Sequence, residues 1–362
     1  MLKANPSVSI CIPTYNGAEF LGECIASVLT QTYVDFEVLI CDDRSSDGTL
    51  ELAQKLAEGD GRFRFVANPT RLGLVDNWNN CVNHARGTWI KFVFQDDLIA
   101  SNCVEKLLAA CQQHGKPFAF CERDFIFSEG TPAHLQDWLT ENRQKLRSHW
   151  QPTLSISPEQ AILVASKDTA YNIVGEPTAT LIKRSIFEEL GDFDSALVQL
   201  CDSELWFSVL VNHGAAYVPE SLATFRIHGG ATTALNLGQR AFRKEILDRA
   251  VILYRSAFGW QYKPFRALNG NWKSNLSLRK ECAAWAAYAW REAKKQSSAS
   301  SQGQFSALAE WHSVISCHPG LLLVTWLGRF NYFLGKLKRT LAGGSRMRVK
   351  APCNVVHPKK DI

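Results

Sequence analysis

A chain of 362 residues, 46% apolar and 21% charged, has the composition of an ordinary globular protein and excludes a disordered one. Its net charge of +5 hides a split: residues 1–235 hold 18 Lys and Arg against 29 Asp and Glu, whereas residues 236–362 hold 22 against 6. Such an asymmetry turns the C-terminal part toward an anionic surface or, in the plainer alternative, makes it a basic face packed on the acidic first part.

From the N-terminus, apolar runs alternate with helical periodicity. SVSICI (7–12), FEVLIC (36–41), RFRFVA (62–67) and TWIKFVF (88–94) read as strands. AEFLGECIASVLTQ (18–31), DGTLELAQKLAEG (47–59) and VDNWNNCVNHA (75–85) read as the helices between them. Nearly all-apolar strands separated by helices predict a parallel sheet covered on both faces, a Rossmann-like nucleotide-binding architecture with functional loops at the carboxyl ends of the strands. Residues 128–153 are polar and read as an irregular insertion. Ser157, Pro158 and Gln160 spell a capping box that opens a new helix. After RIHGGATT (226–233) the pattern becomes helical, with QSSASSQGQ (296–304) as a linker and AAWAAYAW as helical core. The domain boundary is placed near residue 235, giving an α/β domain over 1–235 and a mainly α-helical, basic region over 236–362.

Eleven cysteines are scattered without a C-x-x-C pair or a Cys/His cluster, and Cys11, Cys41, Cys111 and Cys121 sit in apolar company. Free thiols used as small hydrophobes fit a reducing compartment. No signal peptide is evident, and no apolar run reaches the ~18 residues of a membrane span, the nearest, 320–339, being interrupted by Arg329, Lys336, Lys338 and Arg339. The expected location is the cytoplasm, with the C-terminus leaning on the inner face of the cytoplasmic membrane.

Three strands end in unusual loops: CIPTYNG, CDDRSSDGT and FQDD. Parallel strands deliver their carboxyl ends to one edge, so Asp42, Asp43, Asp96 and Asp97 are expected to converge. Carboxylates gathered in one cleft repel unless a cation or hydrogen-bond donors are present, and hard oxygen ligands suit Mg²⁺ or Mn²⁺. The simpler alternative for Asp97 is an N-cap of the helix starting near Ser101.

PTYNG, DDRSSDGT, Asn68-x-x-Arg71-x-Gly73, ARG (85–87), QDD, GEPTATLIKRSIFEELGDFD and RIHGG occur in that order. Over about residues 7–233 this ordered set resembles the family-2 glycosyltransferases of the GT-A fold, which are inverting and use nucleotide-diphospho-sugar donors. The resemblance implies that Pro13, Thr14, Tyr15, Asn16, Asp43, Asn68, Arg71, Gly73, Asp96, Glu176 and Arg226 face the donor. Tyr15 and Asp43 would hold its base, and Glu176 would border the sugar and acceptor. Asp97 and His228 would meet a divalent cation. The general base would be Asp202, with Glu204 as its rival. Two departures stand out: Gln95 replaces the first acid of the usual triplet, and Cys201 replaces the Glu that usually precedes the base. Plainer readings remain for single residues, with Asp202 as a helix cap, Glu176 as a turn residue and His228 as structural.

The reaction implied is sugar transfer, with inversion, to a hydroxyl of a saccharide or lipid-linked acceptor in cell-surface polysaccharide or glycolipid synthesis. A non-catalytic nucleotide-sugar-binding relative is one alternative. A sugar nucleotidyltransferase is another, although PTYNG is not a glycine-rich basic phosphate loop. From Leu321 onward, Leu, Trp, Phe and Tyr mix with Lys and Arg, which reads as an interfacial helix on anionic lipid. No nucleic-acid-binding motif accompanies that charge.

Overall fold

The computed structural model describes residues 5–150, 153–165, 172–229, 242–268, 272–299 and 306–341. Strands β1 (Val8–Thr14) and β2 (Phe36–Asp42) are buried along their whole length. They pair in parallel from Val8 against Phe36 to Thr14 against Asp42, and β2 continues in parallel to β3 (Phe63–Ala67). On its other side β1 pairs in parallel with β4 (Trp89–Phe92), with Cys11 beside Phe92. These registers bring the carboxyl ends of the first four strands to one edge.

The alternation of side chains divides each strand between two cores. Val8, Ile10 and Ile12 of β1 and Val38 and Ile40 of β2 pack beneath helices α1 (Ala18–Leu29) and α4 (Cys103–His114). Cys11, Leu39 and Cys41 point the other way, toward Trp78 of α3 (Leu74–His84) and Trp206 of α8 (Cys201–His213). That second core continues without a break to Val251, Trp285, Trp311 and Val324 of the C-terminal helices.

Beyond β4 the sheet ceases to be parallel. β8 (Thr180–Lys183) runs antiparallel to both β4 and β6 (Phe118–Phe127), and β6 lies parallel to the long β9 (Ala215–Ile227). The short strands β5 (Leu98–Ile99) and β7 (Ser155–Ile156) flank β9, completing nine strands in the mixed sheet. The stretch expected to be irregular contains an 18-residue helix, α5 (Ala133–Trp150), whose Trp150 is buried and donates its indole N–H to the Ile173 carbonyl at 2.7 Å. The capping box forms as expected: the Ser157 N–H donates to Gln160 Oε1 at 2.9 Å, and the Gln160 N–H to Ser157 Oγ at 3.3 Å. The supposed linker begins inside a helix that runs from Trp272 to Ala299, and residues 300–304 lie outside the described residues. Ten free cysteines are present among the described residues, nine of them buried. No helix of the described residues is long and apolar enough to cross a membrane.

Candidate functional site

At the shared strand edge the loop after β1 interlocks with the loops after β2 and β4. Asp42 accepts the Thr14 hydroxyl at 2.9 Å and the Ser45 N–H at 2.9 Å, which folds DDRSS back over the strand end. Asn16, at φ +47°, accepts the Ser46 N–H at 2.8 Å. Pro13 stays within β1 in register with Cys41. Gln95 explains itself here. Its Oε1 accepts the Tyr15 N–H at 2.9 Å and its amide donates to the Tyr15 carbonyl at 3.2 Å. A carboxylate has no proton to give and would meet that carbonyl unfavourably. Gly17 follows because a Cβ there would collide with the Gln95 side chain.

Asp43 is buried and takes three donors, Asn68 Nδ2 at 3.0 Å, the Leu72 N–H at 2.6 Å and the Gly73 N–H at 2.8 Å. It thereby fixes the turn that lays the Arg71 guanidinium 3.9 Å above the ring of Tyr15. Asn68 is held in turn by Asn77 and Asn80, at 2.9 and 2.8 Å. Tyr15 and Arg71 are stacked in direct contact and form a partly exposed planar face beside this polar network.

The two adjacent aspartates after β4 do different work. Asp97 has no exposed surface: its Oδ2 accepts the Thr178 hydroxyl at 2.5 Å and its Oδ1 the Arg226 N–H at 3.1 Å. Burial, and then the neighbouring Asp96 charge, push its carboxyl well above the usual range. Beneath it the fully buried Lys91 donates to the Thr178 carbonyl. Asp96 instead faces His228, with Oδ2 and Nε2 3.0 Å apart and both side chains slightly open to solvent. Arg226 turns inward, its Nε on the Asp96 carbonyl at 3.0 Å and its Nη2 on Glu23 at 2.7 Å.

The segment 172–178 bridges these groups to α8. Thr178 holds Asp97 at one end, and at the other Asn172 Nδ2 donates to Asp202 Oδ2 at 3.1 Å. Between them Glu176 forms an ion pair with Arg123 of β6, and its charge acts on both Asp97 and Asp202. Asp202, in the first turn of α8, also accepts the Ser203 N–H at 2.6 Å. Burial, reinforced by Glu176, pushes it up to about 7. A carboxylate that titrates near neutrality is suited to taking a proton. Glu204 lies elsewhere, 1% exposed, with Arg255 Nε 2.7 Å away and accepting the Tyr262 hydroxyl at 2.5 Å.

Four residues carry weight that the sequence reading did not assign, Thr178 within the GEPT motif and three outside any motif. Arg123 orients Glu176, Thr178 and Lys91 support Asp97, and Asp248 from the C-terminal region supports the entry to α8. Asp248 is fully buried and accepts the N–H groups of Val198, Gln199 and Leu200, the last two at 2.7 and 3.1 Å. Such a nest of amides on one carboxylate fixes the chain leading to Asp202.

Among the described residues no group of three or more His, Cys, Asp or Glu side chains is arranged to hold a metal. Asp96 and His228, whose Oδ2 and Nε2 are hydrogen-bonded at 3.0 Å, bring one carboxylate oxygen and one imidazole nitrogen to the same point near solvent. An oxygen and an imidazole nitrogen suit Mn²⁺ better than Mg²⁺.

The family model described as "Glycosyl transferase family 2" matches residues 9–191. A Mycobacterium tuberculosis relative, "Uncharacterized protein MT1568", is 32% identical over 69% of this chain and 75% of its own length. Among solved structures, S. aureus TarS 1-349 in complex with UDP-GlcNAc superposes with a TM-score of 0.54 at 14% identity, covering 87% of this chain and 92% of that one. The mannosyltransferase PcManGT from Pyrobaculum calidifontis, in complex with GDP-Man and Mn²⁺, gives 0.52 at 16% identity over 91% and 88%.

Proposed function

The chain belongs to glycosyl transferase family 2 and has the GT-A fold, and from that premise we propose that it moves a sugar, with inversion, from a nucleotide-diphospho-sugar to a hydroxyl of a saccharide or lipid-linked acceptor. The observation that carries this reading is the 172–178 segment, which ties the neutral-range carboxylate Asp202 to the hub beside the Asp96–His228 pair. The nucleotide base would stack on the planar face made by Tyr15 and Arg71, next to the loop that Asp43 fixes. Pro13, Thr14, Asn16, Asn68 and Gly73 shape that face rather than touch the reacting atoms.

Asp202 accepts the proton of the acceptor hydroxyl while its oxygen attacks the anomeric carbon. The bond to the diphosphate breaks and the nucleoside diphosphate departs with the electron pair. Asp96 and His228 would hold a divalent cation, Mn²⁺ fitting best, which when bound neutralises charge on the leaving diphosphate. Glu176, clamped by Arg123, borders the sugar and raises the basicity of Asp202 by its charge. The buried free thiols support a reducing cellular interior as the place of action, in cell-surface polysaccharide or glycolipid synthesis.

The test is a panel of UDP-, GDP- and dTDP-sugars with Mn²⁺, read first as thermal shift and then as release of nucleoside diphosphate. The matching donor should stabilise by about 3 kcal/mol at a hundredfold excess over its dissociation constant. Slow metal-dependent hydrolysis that disappears in Asp202→Asn supports transfer. Tight donor binding without turnover under any metal and acceptor would instead identify a nucleotide-sugar-binding protein.

A further inference from the structure

The last described helix, Gly320–Leu341, presents two opposite faces. Leu321, Val324 and Thr325 are buried, and at Gly328 a Cβ would collide with the Ala283 carbonyl, so this side lies hard against the helix Trp272–Ala299. The other side carries Leu323, Trp326, Leu327, Phe330, Phe333 and Leu334, each between 36% and 67% exposed. At about 100° per residue these six fall within an arc of about 120°, and they extend over about 16 Å of helix. Single exposed apolar side chains are ordinary, but a continuous stripe of six is a surface built to be covered.

Its border is cationic. The Arg329 guanidinium lies 3.9 Å from the Trp290 ring and 4.6 Å from that of Trp326, and Arg291 lies over Tyr332 at 4.6 Å. Lys336 and Lys338 follow in the same helix. We infer that this face docks on an anionic lipid surface, with the apolar stripe entering the headgroup boundary and the Lys and Arg groups meeting lipid phosphates. Charge selects the occupant: a second copy would bring two regions of 22 basic against 6 acidic residues together, whereas anionic lipid neutralises them. The helix lies on the membrane, consistent with the lack of a spanning helix among the described residues. The inference stands on this surface alone, whichever donor and acceptor the strand-edge site uses.

The experiment is co-sedimentation of the full chain with phosphatidylcholine vesicles, with and without phosphatidylglycerol. Binding should require the anionic lipid and weaken in salt near 1 M, where the Debye length falls from about 10 to about 3 Å. Trp326→Glu with Phe330→Glu should lower partitioning at least about tenfold while circular dichroism stays unchanged, both side chains being exposed. Lys336→Gln with Lys338→Gln gives an independent check, at about fivefold per charge removed. Equal binding to both vesicles, or unchanged binding by the aromatic double variant, overturns the inference. So does a monomer–dimer equilibrium abolished by that variant without any vesicle binding, which would make a second copy the occupant.

Discussion

Replacing Asp202 with Asn tests the proposed base through stability and rate together. In the folded protein burial lifts this carboxyl from 3.8 to about 7. The folded state therefore binds the proton more tightly than the unfolded chain, so ionised Asp202 opposes folding above pH 7 and the penalty fades as pH falls toward 4. Linkage puts the penalty at about 4 kcal/mol at pH 8 and about 2 kcal/mol at pH 5. Asn removes it at every pH. The same substitution turns an amide toward Asn172 Nδ2, which loses an acceptor at a cost of about 1 kcal/mol. Urea denaturation should thus find the variant about 3 kcal/mol more stable than the parent at pH 8, shrinking to about 1 kcal/mol at pH 5. Transfer should fall about 10²- to 10⁴-fold, the usual worth of a general base. In the parent enzyme the rate should rise with pH through about 7. A stability difference that is the same at both pH values, or a variant that keeps its rate, would refute the assignment.

The two aspartates after β4 should separate cleanly. Asp97→Ala strips the Thr178 hydroxyl and the Arg226 N–H of their buried acceptor and should destabilise by about 2–4 kcal/mol in denaturant titration. His228→Ala should leave stability within about 1 kcal/mol but remove the Mn²⁺ dependence of the donor-induced thermal shift; a shift that keeps its metal dependence places the cation elsewhere. Gln95→Glu should cost about 1–2 kcal/mol by setting a carboxylate against the Tyr15 carbonyl, and Gln95→Ala should be the milder change. Arg255→Ala leaves Glu204 buried without its cation and Asp194 with His318 alone, and should lower stability by about 3–5 kcal/mol; a loss below about 1 kcal/mol would show that water reaches Glu204.

The first half of the sheet was legible because its strands carry their own signal. Val8, Ile10 and Ile12 line one face of β1, the positions between them are small or apolar and buried as well, and each strand is followed by a helix of matching period. The motif loops could likewise be placed, since parallel strands leave them no other edge. The division of labour within them was not legible. Nothing in QDD says that Asp97 turns inward while Asp96 stays near solvent, because Thr178 and Arg226 decide that from 81 and 129 residues away. Helix α5 was missed for a different reason: Leu135, Leu139, Leu146 and Trp150 do recur at helical spacing, but they are spread thinly through a segment that is otherwise mostly polar. Arg123 and Asp248 had no signal at all. Their roles exist only once β6 and the C-terminal helices are folded against the sheet.

The amide nest on Asp248 has a practical bearing for anyone cutting or grafting this chain. A fragment ending near residue 235 would preserve every recognisable sequence signature from Pro13 to His228, yet Val198, Gln199 and Leu200 would lose the anion that gathers their N–H groups. The loop in front of Asp202 would then be free to wander, and a chimera carrying a relative's tail would inherit the same fault unless it supplied an acid at the equivalent point. The C-terminal helices are thus a prop of the loop that carries Asp202, and not a separable appendage.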